Sequence, residues 1–336
     1  MPEINGQQVG PIGYGMMSLT WRPDPPPVEE AIACMKTALD LGANLWNGGE
    51  IYRSPNGENS ATLLEKYLAK YPEDADKIVI CIKGIVGDPA KGKHGPDGSP
   101  EEVKRSIETT LQQMGGRKKK IDMFEAARLD AKLPLAAQLQ AQAEYVDKGL
   151  VGGISLSEVS AATIHEAVKI TKIVAVEVEL SMWSTDVLTN GVAAACAQHN
   201  IPLVAYSPLG RGMLAGRFNS PSDIPDGDFR KTHPRFQPEN FDANLQLVER
   251  VKQLAAKKGC TPAQLAIAWV RAVGRRPGMP VVIPIPSGAH PDRVKENLTA
   301  VELTDAEFDE INGTLGEVPV SGARYPAGAP IEITAL

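Results

Sequence analysis

Hydrophobic and polar positions along this chain alternate on two scales. Short, unbroken apolar runs recur from end to end, and between them lie longer stretches in which apolar residues return every third or fourth position. The short runs predict strands at Val9 to Gly15, Ala43 to Trp46, Ile78 to Lys83, Ile121 to Ala126, Val151 to Ser155, Ile173 to Glu179, Leu203 to Tyr206 and Val281 to Ile283. Runs such as VICI and PLVAY lack polar alternation, as expected of a parallel sheet covered on both faces.

The longer stretches predict helices with recognisable ends. Ser99, Pro100 and Glu102 read as a capping box ahead of Val103, Ile107, Leu111 and Met114. Thr261 with Gln264 and Thr304 with Glu307 repeat the signal, and a helix from Val28 to Leu41 ends at Gly42, a suitable left-handed cap. No linker interrupts the alternation, so one domain over residues 1–336 is expected, with a long loop at about 207–240 and a C-terminal loop at about 317–336. The pattern predicts an α/β fold, a (β/α)8 TIM barrel. A doubly wound open sheet would place GxGxxG after its first strand; Gly10, Gly13 and Gly15 have the wrong spacing, and Gly210, Gly212 and Gly216 come too late.

A net charge of −6 argues against nucleic acid or an anionic membrane as partner. The basic cluster Arg117 to Lys120 reads as a solvated turn. Cys34, Cys81, Cys196 and Cys260 are far apart and read as reduced thiols; with no leader-like or membrane-spanning segment, a soluble cytoplasmic protein is expected. No heptad argues for an oligomer, and a monomer is expected. His94, His165, His199 and His233 have no ligand spacing, and no metal site is expected.

In a barrel the C-terminal strand ends form the site, which gathers Asn47, Lys83, Ala127, Ser155, Tyr206 and Ser287 on one face. Tyr52 and Lys83 fit carbonyl reduction. The alkoxide left by hydride addition needs a proton, a phenol of pKa about 10 gives one reluctantly, and a nearby ammonium stabilises the phenolate.

GANLWNGGEIY, VICIK, IDMFEAARLD, GGIS, VAVEVELSMWS, VAYSPLGRGMLAGRF and IPIPSGAHPDRVKENL, in that order, resemble the aldo-keto reductase family over nearly the whole chain. The resemblance implies a tetrad of which Tyr52 and Lys83 remain, with Asn47 in place of aspartate and Ala127 in place of histidine. A substrate hydroxyl beside the carbonyl, or a water, then fills the gap at Ala127. WNGGE and AARLD resemble the pyridoxal reductase branch, which implies NADPH-dependent reduction of the small-molecule aldehyde pyridoxal to pyridoxine, with Tyr52 as proton donor.

The resemblance assigns NADPH to Gly15, Ser155, Glu177, Tyr206, Ser207, Leu209, Gly210, Arg211, Ser287, Gly288, His290, Arg293, Glu296 and Asn297. Glu177 stands where glutamine is usual and Leu156 where asparagine is usual. Glycines after strand seven allow backbone amides near a pyrophosphate, and a guanidinium suits a 2′-phosphate. The substrate pocket is assigned to Trp21, Glu50, Ala127, Arg128 and Trp183, the C-terminal loop being either a cover for the mouth or a surface tail. Two alternatives stay open: a broad aldehyde or ketone reductase, and an NADPH-binding regulatory subunit with little turnover.

Overall fold

The computed structural model describes residues 1–87 and 95–327; His94 and the end of the expected C-terminal loop lie outside them. A hairpin of β1 (Glu3–Ile4) and β2 (Gln7–Gln8) precedes eight parallel strands: β3 (Tyr14–Gly15), β4 (Leu45–Gly49), β5 (Val79–Gly84), β6 (Met123–Ala126), β7 (Ile154–Ser157), β8 (Ile173–Glu179), β9 (Leu203–Tyr206) and β10 (Val282–Pro284). Each strand pairs with the next. Gly13 and Gly15 donate backbone hydrogen bonds to Pro284 and Pro286, so β3 meets β10 and the barrel closes.

The connecting helices are α1 (Met17–Thr20), α2 (Val28–Asp40), α3 (Ser60–Lys70), α4 (Pro100–Gln113), α5 (Leu135–Asp147), α6 (Ala161–Ile170) and α7 (Val192–Gln198). After β9 come α8 (Pro238–Lys258) and α9 (Pro262–Val273), and after β10 come α10 (Pro291–Leu298) and α11 (Asp305–Glu317). The caps at Thr261 and Thr304 are reciprocal boxes. Ser99 caps the Glu102 amide alone, because the Glu102 carboxylate turns to Arg105 instead. The predicted strands are present but shifted by up to three residues at most ends, and Val9 to Gly15 shrinks to Tyr14–Gly15. The loop predicted to about residue 240 ends earlier, since Pro238 starts α8.

Two apolar layers follow from strand alternation. Trp46, Ile80, Ile82, Phe124, Val176 and Leu203 face outward into the layer shared with the helices. Leu45, Val79, Cys81, Met123, Val204 and Ile283 fill the barrel axis, and Ile4 and Val9 plug its lower end. The plug is held by the Asn5–Gly6 turn, both residues at positive φ, with the Asn5 amide donating to Gly152 O at 2.7 Å. Arg117 to Lys120 is only partly solvated: Lys118 reaches back to the carbonyls of Ala75 and Ile78 and to Asp122 at 3.1 Å.

At the closing seam a Cβ on Gly15 would lie 2.9 Å from the Ile285 carbonyl oxygen, a backbone atom that cannot swing away. Gly15→Ala should therefore destabilise the fold by about 1–3 kcal/mol. A lowered urea midpoint with an unchanged slope would show it.

Candidate active site

Above the apolar filling, the inward positions become polar. Asn47 of β4, Lys83 of β5, Glu125 of β6, Ser155 of β7 and Glu177 of β8 are each at most 4% exposed and surround one ammonium. Lys83 Nζ contacts Glu177 Oε1, and lies 3.1 Å from Glu125 Oε1 and 3.2 Å from Asn47 Oδ1. The Asn47 amide nitrogen donates to Glu177 Oε2 at 2.5 Å, and Ser155 Oγ donates to Glu125 Oε2 at 2.9 Å. The lysine thus has two carboxylate partners, supplied by β6 and β8 rather than by position 47.

Two carboxylates around one ammonium leave an excess negative charge in a dry interior. Burial pushes the Glu177 pKa up, the Lys83 ammonium opposes this, and the Glu125 charge adds to the rise; the result is about 8. Lys83 is held protonated well above its ordinary value: burial opposes its charge, but Glu177, Tyr52 and Glu125 outweigh it. The Glu177 carboxyl therefore favours its proton at neutral pH while the Lys83 ammonium keeps its charge. Cys81, Glu125 and Glu177 offer donor atoms within 4.8 Å of one another, a spacing the sequence did not suggest; the Lys83 ammonium takes the place of a cation there.

Tyr52 lies over this group, its ring centroid 6.0 Å from Lys83 Nζ. The expectation that Lys83 lowers the phenol pKa holds for that pair alone. Burial, Glu177 and Glu125 raise it, outweighing Lys83 and Arg128, so the phenol keeps its proton. From Tyr52 an aromatic collar runs round the mouth: Trp21 stacks on Tyr52 at 5.5 Å and on Phe229 at 6.2 Å, then Phe229 meets His233 and His233 meets Tyr325. Tyr325 OH closes the collar on Tyr206 OH at 2.9 Å. Its neighbour Arg324 pairs with Glu158 at 2.9 Å and Glu179 at 3.1 Å, so the C-terminal loop does cover the mouth as far as residue 327.

On the side of β9 and β10, Ser207, Gly210, Arg211 and Gly212 all have positive φ, and the Gly210 and Gly212 amides donate back to the carbonyls of Ser207 and Leu209, so the turn is closed on itself. Arg217, which sequence reasoning missed, forms no hydrogen bond or ion pair among the described residues. Partial burial, then Arg293, Arg230 and Arg22, lower its pKa, so this donor set suits a polyanion. The basic residue in AGRF was the available signal. Of the other expected cofactor residues, Arg293 pairs with Glu296 at 2.7 Å, His290 contacts Glu30, and Ser287 Oγ contacts Ser18. Asn297 is buried and donates to Ser287 O, Gly288 O accepts from Tyr14, and Leu209 O accepts from the Gly212 and Leu214 amides.

Some expected residues lie elsewhere. Glu50 turns away from the mouth to Arg105 at 2.5 Å and to Ser106 at 2.6 Å, fastening the loop to α4. Trp183 is buried edge-on against Phe236 and borders a narrow cleft with Glu179, Arg211, His233 and Arg324. The Ser155 hydroxyl is committed to Glu125, and Gly15 belongs to the closing seam. Glu125 was not singled out, although its place between Phe124 and Ala126 in an otherwise apolar strand marks an inward polar position. Ala127 and Arg128 follow β6, and Arg128 reaches Tyr325 of the collar.

A closed parallel barrel with its polar cluster at the C-terminal strand ends is the architecture of a barrel enzyme. A model of the Aldo/keto reductase family matches residues 11–315, and the chain belongs to that family, an oxidoreductase family. A Schizosaccharomyces pombe protein named "Probable pyridoxal reductase 2" is 38% identical over 333 residues, covering 97% of each chain. "Aldo-keto reductase yakc [NADP(+)]" from the same organism is 33% identical over 336 residues, covering 98% of this chain and 96% of its own. The glycerol dehydrogenase structure from Gluconobacter oxydans superposes with a TM-score of 0.80 at 21% identity, covering 96% of this chain and 97% of its own, and shares the fold.

If Glu177 holds a proton in the folded protein up to about pH 8, the folded state binds more protons than the unfolded state from the ordinary carboxyl range up to that value. Stability should therefore fall as pH rises through that window, and Glu177→Gln should flatten the dependence. Urea unfolding of both proteins at several pH values measures it; parallel curves would refute the assignment.

Proposed function

We propose that the protein reduces pyridoxal to pyridoxine with NADPH. The observation that carries this reading is a protonated phenol, Tyr52, set above a buried ammonium inside a collar of aromatic rings. The collar suits a flat aromatic aldehyde, and the relative named as a pyridoxal reductase supports that substrate. NADPH is supported by the relative whose name carries NADP(+) and by Arg217 and Arg293.

The bound dinucleotide would supply hydride to the carbonyl carbon. Tyr206 would offer its ring to the nicotinamide, while the arginines hold the phosphates. Tyr52 then gives its proton to the carbonyl oxygen, and the phenolate that remains faces Lys83 and Arg128, the two charges that favour it. Glu125 and Glu177 act through Lys83 and are positioning residues: they keep the ammonium charged and fixed below the phenol. The collar is not specific for a pyridine ring, which favours a broad aromatic aldehyde reductase as the second reading.

NADPH oxidation followed spectrophotometrically with pyridoxal and with 4-nitrobenzaldehyde separates the two. Pyridoxal turnover that falls by about 10²-fold or more in Tyr52→Phe is expected. Turnover of 4-nitrobenzaldehyde alone would replace the vitamin reading with the broader one, and saturable NADPH binding without turnover would replace both with a regulatory role.

A further inference from the structure

We propose that Arg128 is a substrate ligand that selects aldehydes carrying an acidic hydroxyl on the adjacent ring carbon. This rests on the carbonyl-reductase reading above and specifies its substrate class. The grounds are in the pairing of the mouth arginines. Arg211 pairs with Glu179 at 3.0 Å and Arg324 with Glu158 at 2.9 Å. Arg128 has no carboxylate partner among the described residues. Its Nη1 donates to the carbonyl of its neighbour Ala127 and, at 3.4 Å, to Ser157 Oγ, while Nη2 reaches Tyr325 OH at 3.4 Å. The Nε hydrogen is buried without an acceptor. Glu158, whose charge favours that of Arg128, is engaged by Arg324 and by the Glu179 amide.

Glu158 and the nearby phenols favour its charge from a distance, but a guanidinium with no carboxylate at hydrogen-bond distance and an Nε hydrogen without an acceptor still has room for an anion from outside. The groups around it limit which anion fits. Its electrostatic neighbours include the phenols of Tyr206, Tyr325 and Tyr52, so a ligand on its free edge sits within the collar, close to the proton donor. A guanidinium presents paired N–H groups in one plane, suited to two coplanar oxygens. An aromatic aldehyde with an ortho hydroxyl presents such a pair, and its ionised hydroxyl carries the missing charge. Arg128 thereby also fixes the carbonyl oxygen at the side of the site where Ala127 contributes no polar group.

The test compares kcat/KM for 2-hydroxybenzaldehyde, 4-hydroxybenzaldehyde and benzaldehyde, with NADPH, in the wild type, R128K and R128Q. The wild type should prefer the 2-hydroxy over the 4-hydroxy compound by about tenfold or more, because only the former reaches the guanidinium with both oxygens. R128Q should bring that ratio close to one, and R128K should fall between, since it keeps the charge and loses the fork. Thermal unfolding identifies a variant that fails to fold, and the remaining variant then decides. Absence of an ortho preference in the wild type, or the same preference in both folded variants, would overturn the assignment. Turnover of the hydroxybenzaldehydes with the predicted ratios but none of pyridoxal would uphold Arg128 and remove the vitamin reading. No turnover of any aldehyde would overturn both.

Discussion

The ammonium of Lys83 is the charge around which the upper half of the barrel is arranged. An isolated cation in a dry interior is far too costly to keep ionised, so the strands around it must deliver anions at fixed positions. Parallel register does this directly: Lys83 of β5 stands opposite Glu125 of β6, and Asn47 stands one inward position below Gly49, which pairs with Lys83. Glu177 approaches from β8 across the barrel and is bridged to Lys83 by the Asn47 amide, which accepts from one and donates to the other. Asparagine is useful at position 47 because two carboxylates are already present. A third would add charge that one ammonium cannot balance.

The mouth obeys a second rule, that opposite charges are fastened in pairs and the fastening carries the loops. Glu158 and Glu179 extend from the ends of β7 and β8 and bind Arg211 after β9 and Arg324 in the C-terminal segment. Backbone strain collects at the same level. Ile85, Glu158 and Ser207 follow β5, β7 and β9 with positive φ, a conformation that is unusual for any residue but glycine and rarest for a β-branched one such as isoleucine. The strain is held by what surrounds it: the Ile85 amide donates to Ser106, which in turn binds Glu50. Glu50 thus supports the site from behind without entering it.

The fold was legible because apolar runs without alternation admit few arrangements once helices separate them. Strand ends drifted because the last residue of a buried strand and the first of its loop are both apolar, as at Val151 and Gly152 before β7. The plug hairpin was missed although Asn5 and Gly6 carry its turn signal, since strands of two residues show no periodicity. Tyr52 and Lys83 could be found from their place after buried strands. Glu125 could not, because its role depends on facing Lys83 across a strand pair, a relation that no local pattern contains. The pairing that leaves Arg128 without a carboxylate is likewise a property of loops meeting in space: Arg324 and Glu158 are 166 positions apart.

The raised pKa of Tyr52 is consistent with its proposed work once the charge below it is considered. A donor that lost its proton before the alkoxide formed would be useless, and burial with Glu125 beneath keeps the proton in place. In the proposed reaction the carbonyl oxygen would gain charge near the phenol and Arg128, and the transferred proton would leave a phenolate between a guanidinium and an ammonium. Neither cation need move for that stabilisation to act, which is the condition under which fixed charges contribute most to a reaction. The negative charge that raises the phenol pKa comes from Glu177 and Glu125, and it weakens as Glu177 takes up its proton. The acidity of Tyr52 is therefore set by burial and the carboxyl groups of Glu177 and Glu125 acting against the charges of Lys83 and Arg128.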